Sequence, residues 1–120
     1  MIKNVFFKLR EFDSPDLKGS GALMDETLID MLIEARSNAK IPFIINSGYR
    51  TKEHNKKIGG VKNSSHLKGL AVDIKCVDSR SRSVILNALI GAGFNRIGIA
   101  KTFIHCDIDQ DKPKNVIWMY

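Results

Sequence analysis

Residues 64–76 read SSHLKGLAVDIKC, and the alternation in their second half decides the fold. Val72, Ile74 and Cys76 fall on one side of an extended chain, and Ala71, Asp73 and Lys75 on the other. That period of two is the mark of a half-buried strand. A strand over residues 70–76 therefore has an apolar face and a face that carries a carboxylate. His66 precedes it in a glycine-bearing polar stretch, so its imidazole enters from a loop.

Residues 104–107, IHCD, repeat the pattern. Ile104, Cys106 and Ile108 share one face, and His105 and Asp107 share the other. If the two strands lie in one sheet, both polar rows can face a common cleft. Residues 96–100 and 103–108 read as two strands joined by a tight hairpin at Lys101-Thr102. The run VIWMY, residues 116–120, adds an edge strand after a polar turn containing Pro113.

Upstream, Leu28, Met31, Leu32 and Ala35 recur at helical spacing between Asp25 and about Lys40, with Asp25 or Glu26 at the end where the helix dipole favours acid. Pro42 stops that helix, and PFIINS (42–47) reads as a short buried strand. Residues 51–57 form a short polar helix with Thr51 as its N-cap. A second long helix begins at Ser79, carries Val84, Ile85, Ala88, Leu89 and Ala92, and ends around residues 91–93. Residues 13–22, DSPDLKGSGA, read as an exposed loop. The fold class is α+β, a small and mainly antiparallel sheet flanked by helices.

The chain has 120 residues, 43% of them hydrophobic and 27% charged. Those figures describe one globular domain, residues 1–120, able to bury a core without disulfides. No apolar run is long enough to span a bilayer, which excludes membrane insertion. The net charge of +6 favours an anionic partner. Its basic residues are scattered, however (Lys3, Lys8 and Arg10, then Lys52, Lys56 and Lys57, then Arg80 and Arg82), and no aromatic-basic surface motif supports nucleic-acid binding. Phe6, Phe7, Phe43, Phe94, Phe103 and Trp118 mostly sit in apolar runs and read as core. Cys76 and Cys106 are too few for a disulfide scaffold and read as small buried hydrophobes. The N-terminus, MIKNVFFKLREF, has neither an apolar export core nor a cleavage site, so the chain is expected to be made in the cytoplasm. A monomer is expected.

Two imidazoles and a carboxylate, His66, Asp73 and His105, suit a borderline cation such as zinc, with a fourth position left open as in catalytic sites. Lone histidines in small proteins are more often surface or satisfied core residues, and spacing alone leaves that reading standing. His54, on the polar helix, reads as solvated surface.

A longer ensemble narrows the choice. Ser47-Gly-Tyr-Arg50, Asn55 and Gly60, then Ser64-x-His66-x-x-Gly69-x-Ala71-x-Asp73, then Gly98-Ile99 ahead of His105-x-Asp107, resembles the zinc D-alanyl-D-alanine carboxypeptidases. That family includes VanY-like peptidases and peptidoglycan endopeptidases, and it shares its fold with the Hedgehog signalling domain. The resemblance covers the chain from about Met24 to Tyr120. It implies a Hedgehog/DD-peptidase fold, one zinc ion held by His66, Asp73 and His105, and a peptidoglycan peptide as substrate. It further implies that Arg50 steadies the substrate and the developing oxyanion, and that Ser64 bonds substrate or a ligand side chain. A structural salt bridge for Arg50 and a loop cap for Ser64 are the plainer readings.

One position departs from the family pattern. Many relatives carry a glutamate as general base three residues before the last histidine, where this chain has Thr102, which cannot take a proton at neutral pH. Asp107 is then either the base or an acceptor that orients an imidazole. The expected activity is cleavage of stem peptides or cross-links in the cell wall, by a phage or prophage product if no export signal is used. The alternative is a catalytically silent, zinc-stabilised wall-binding module of the same fold.

Overall fold

A computed structural model describes residues 4–120; Lys3 and the first residues of the segment read for an export signal lie outside the described residues. Three helices, α1 (Glu26–Ala39), α2 (Lys52–Lys57) and α3 (Ser79–Gly91), accompany five strands. The strands are β1 (Ile45–Ser47), β2 (Ala71–Lys75), β3 (Arg96–Ile99), β4 (Phe103–Asp107) and β5 (Val116–Met119), with single 3-10 turns at Leu9–Phe12, Ser20–Leu23 and Ser65–Lys68. They form one sheet in the order β1-β2-β4-β3-β5, antiparallel except for the parallel β3–β5 pair. The α+β class follows from the sequence as expected. Among the described residues no helix is long and apolar enough to cross a membrane.

The local signals act as their chemistry requires. Asp25 caps α1 by accepting from the Leu28 N–H at 3.1 Å. Lys40 closes that helix in the left-handed region, two residues ahead of Pro42. Thr51 caps α2 by accepting from the His54 N–H at 3.1 Å, and Asp78 caps α3 by accepting from Ser81 at 2.8 Å. The buried stripe of α1 (Leu28, Leu32, Ala35) and that of α3 (Ile85, Leu89) meet Val72, Ile74, Ile104 and Cys106 in one core. Helices α1 and α3 therefore cover the apolar face of the sheet, and the face carrying Asp73 and His105 is left to build a cleft.

Three expectations need correction. The strand read over residues 42–47 is only Ile45–Ser47, because its register shifts at a bulge and Pro42 has no N–H to pair. Residues 13–22 are exposed over 15–19 and at Ala22, as expected, but not throughout. Ser14 and Ser20 are buried, the Asp13 carboxylate accepts from Gly19 and Gly21, and Ser14 Oγ accepts from the Thr51 N–H at 3.1 Å. Of the aromatics read as core, Phe7, Phe43 and Phe94 are buried, whereas Phe6 is exposed beneath the Arg36 guanidinium. Phe103 and Trp118 line the cleft. Cys76 and Cys106 are free and buried, and burial pushes both thiols up, as inert core cysteines require.

Candidate metal centre

One transverse row of the sheet carries the site. Ser47 pairs with Asp73, Asp73 with His105, His105 with Gly98, and Gly98 with Trp118, one residue from each of the five strands. Residues directly opposite in register point to the same face, so two chain segments 32 residues apart deliver a carboxylate and an imidazole side by side. His66 arrives from the 3-10 turn Ser65–Lys68. That turn is closed by Gly69 at φ +70°, where an added Cβ would lie 2.4 Å from the Leu23 carbonyl. One ligand atom from each of His66, Asp73 and His105 lies within 4.8 Å of the others.

Each imidazole has its outer nitrogen tied down. His66 Nδ1 donates to the Gly48 carbonyl at 2.8 Å, so this nitrogen carries the proton and Nε2 is left facing Asp73 Oδ1 at 3.4 Å. His105 Nε2 donates to Asp107 Oδ2 at 2.7 Å, and its Nδ1 meets Asp73 Oδ1 at 2.9 Å. Outer partners of this kind orient metal-ligating histidines. Two inward nitrogens and a carboxylate oxygen are a donor set suited to zinc, so the residues present fit the ion.

The acid and bases of the triad stabilise one another's charged forms. Burial alone would raise the Asp73 pKa, but the His105 and His66 rings beside it hold it well below the usual carboxylate range. Burial alone would lower the His105 pKa, but Asp107 and Asp73 at its two nitrogens carry it above the ordinary value of 6.5. His105 thus keeps its second proton to higher pH than a free imidazole does, and a metal bound at Nδ1 would have to expel it. The sign follows: a raised pKa lets protons compete over a wider range, so zinc affinity rises with pH. We expect about a tenfold gain per pH unit below the His105 pKa, measured by competition with a chromophoric chelator between about pH 5.5 and 8.5. A flat profile across that range would rule out His105 Nδ1 as a ligand.

Asp107 is 1% exposed and its oxygens are committed. Oδ2 holds His105, while Oδ1 accepts from Arg96 Nε at 2.6 Å and from the Asp109 N–H at 3.1 Å. Burial would raise its pKa, yet the bonds from His105 and Arg96 hold it low. Arg96, unremarked in the sequence, also donates from Nη1 to the Pro113 carbonyl.

Arg50 reaches the same cavity. Its Nε donates to Ser47 Oγ at 3.1 Å, Nη1 to Asn55 Oδ1 at 3.1 Å, and Nη2 to Asp73 Oδ2 at 3.4 Å. Gly60 makes room for this, since a Cβ there would lie 2.0 Å from Asn55 Oδ1. Ser64 is buried on the cavity wall and its Oγ caps the 3-10 turn by accepting from the His66 N–H at 3.2 Å. Thr102 sits exposed in the hairpin turn and does not line the cavity. His54 also stays outside the metal cluster.

The cavity holds about 420 Å³. Its far wall, which sequence reasoning missed, is aromatic. Trp118 lies 5.5 Å from His105 and 5.0 Å from the Arg96 guanidinium, and Tyr120 lies 5.1 Å from Phe103. Gly98 permits this closure, because a Cβ there would come within 2.6 Å of the Trp118 indole. A glycine inside a strand was the available signal, as it marks close approach of another group.

A comparison with curated proteins returned no match. The sequence model of a family of metal-dependent peptidases, typically zinc enzymes, does match, from Phe7 through Asp107. That span includes Arg50, all three converging residues and the carboxylate behind His105, and on it the chain belongs to the peptidase M15 family, that of the zinc D-alanyl-D-alanine carboxypeptidases and VanY-like enzymes.

Proposed function

We propose that this chain is a zinc metallopeptidase that hydrolyses peptide bonds in peptidoglycan stem peptides or cross-links, as carboxypeptidase or endopeptidase. The observation that carries the reading is the convergence of His66 Nε2, His105 Nδ1 and Asp73 Oδ1, with the outer nitrogen of each ring anchored by Gly48 or Asp107. Zinc held there would supply Lewis-acid polarisation of the scissile carbonyl and a water acidified from a pKa of about 15.7 towards 7.

The remaining work falls to side chains. Arg50 spends three N–H groups on Ser47, Asn55 and Asp73 and keeps two of its five. Those two would stabilise negative charge on the carbonyl oxygen of a bound peptide. Ser64 accepts from the backbone through Oγ and keeps its own proton to offer a substrate carbonyl. Asp107 fixes the His105 ring and keeps a proton on Nε2. Its commitments to Arg96 and Asp109 support that orienting role over the role of general base.

The test is cleavage of purified cross-linked and pentapeptide muropeptides by zinc-loaded protein, with and without chelator. Cleavage that stops with chelator and returns with zinc is the expected result. A zinc-replete protein that binds muropeptides but cleaves none points to the wall-binding module. One observation favours that second reading: among the described cavity-lining residues the carboxylates are Asp73 and Asp107, and both already have partners.

A further inference from the structure

Among the described residues, three cations (Arg50, Arg96 and Lys112) and two carboxylates (Asp73 and Asp107) line the cavity. Arg50 is paired with Asp73 and Arg96 with Asp107. Lys112, in the turn between β4 and β5, is different. Its Nζ donates one hydrogen bond, to Ser65 Oγ at 2.9 Å. Its ion-pair partner, Asp109 Oδ2, lies 3.8 Å away, beyond hydrogen-bond distance.

Asp109 is also already satisfied. It is 1% exposed, accepts from Ser65 Oγ at 2.7 Å and from the Asp111 N–H at 3.1 Å, and takes Lys68 Nζ at 3.1 Å on both oxygens. An ammonium has three donors, so two of those on Lys112 are unspent, on a side chain 20% exposed at the cavity wall. Ser65 cannot compete for an anion there, since its one proton goes to Asp109. It instead fixes Lys112 beside the residue that precedes His66.

We propose that Lys112 binds a free carboxylate of the substrate peptide, which makes this site selective for acidic stem peptides over their amidated forms. The proposal rests on the peptidase reading of the cavity. A held ammonium favours a carboxylate through charge-assisted hydrogen bonds, shorter and stronger than those an amide oxygen makes. Lys112 acts in binding, and no proton passes through it in the reaction.

Calorimetry on the zinc-loaded protein tests this, with three forms of the stem pentapeptide L-Ala-γ-D-Glu-L-Lys-D-Ala-D-Ala. One form has both carboxylates free, one is amidated at the glutamyl α-carboxylate, and one is amidated at the C-terminus. The wild type is expected to bind the form that keeps the recognised carboxylate about tenfold more tightly than the form that lacks it. The two amidated arms identify which carboxylate that is. Lys112→Met should abolish the difference and leave affinity for the weaker peptide within about twofold, and Lys112→Arg should retain most of it. The proposal is overturned if Lys112→Met keeps the preference, if it loses affinity equally for all three peptides, or if the wild type shows no preference. Hydrolysis of the same peptides is scored separately: selective binding without turnover would uphold Lys112 and reject the peptidase reading.

Discussion

His66→Ala protein is expected to purify folded, without stoichiometric zinc and with peptide hydrolysis at background. The fold should survive because His66 sits on a 3-10 turn at the margin of the core, and its one side-chain bond within the scaffold goes to the Gly48 carbonyl. Losing such a bond costs about 1 kcal/mol. The metal should not survive. Structural four-ligand zinc sites bind with about 10–16 kcal/mol, so one ligand in four is worth roughly 3–4 kcal/mol. That is about 10²- to 10³-fold in affinity. His66 is a better probe than Asp73, whose removal would also leave Arg50 and His105 without their counter-charge. Metal analysis after gel filtration checks the outcome; one zinc per chain retained by His66→Ala would refute the site.

The second large effect is expected from Asp107→Asn, which separates the two roles that carboxylate could play. As the group that orients His105, its loss should weaken zinc binding by about 10- to 100-fold. It should also destabilise the protein, because Arg96 is buried and Asp107 supplies its counter-charge. Breaking one partner of a buried pair costs about 3–5 kcal/mol, a fall of roughly 10 °C or more in Tm. A general base would behave differently, with zinc affinity and Tm held while kcat drops by about 10²- to 10⁴-fold. Parallel zinc titration, thermal melting and kinetics distinguish the patterns, and unchanged zinc affinity would exclude the orienting role.

The shared polar face of Asp73 and His105 was legible because strand alternation is a local property. Once β2 and β4 are assigned, Asp73 and His105 must each lie on the polar face, and only their shared register had to come from tertiary structure. The capped helices were legible for the same reason. The aromatic wall was not. Residues 116–120 form an apolar run whose face cannot be chosen until β5 is placed, and it pairs in parallel with β3, away from its sequence neighbour β4. Residues 13–22 read correctly as turns but not in full, since Asp13 ties the segment to its own Gly19 and Gly21 and Ser14 is buried against Thr51. The tie from Asp107 to Arg96 was hidden too, since alternation reveals which face a carboxylate occupies but not which cation on another strand will meet it.

The Arg96 guanidinium grips Asp107 with one nitrogen and the Pro113 carbonyl with another, on the turn that also bears Lys112. Anyone re-engineering that turn would therefore be handling the tuning peg of His105 as well. Grafts that keep a backbone acceptor at position 113 should vary selectivity alone, whereas grafts that discard it would slacken the histidine and mix the two phenotypes.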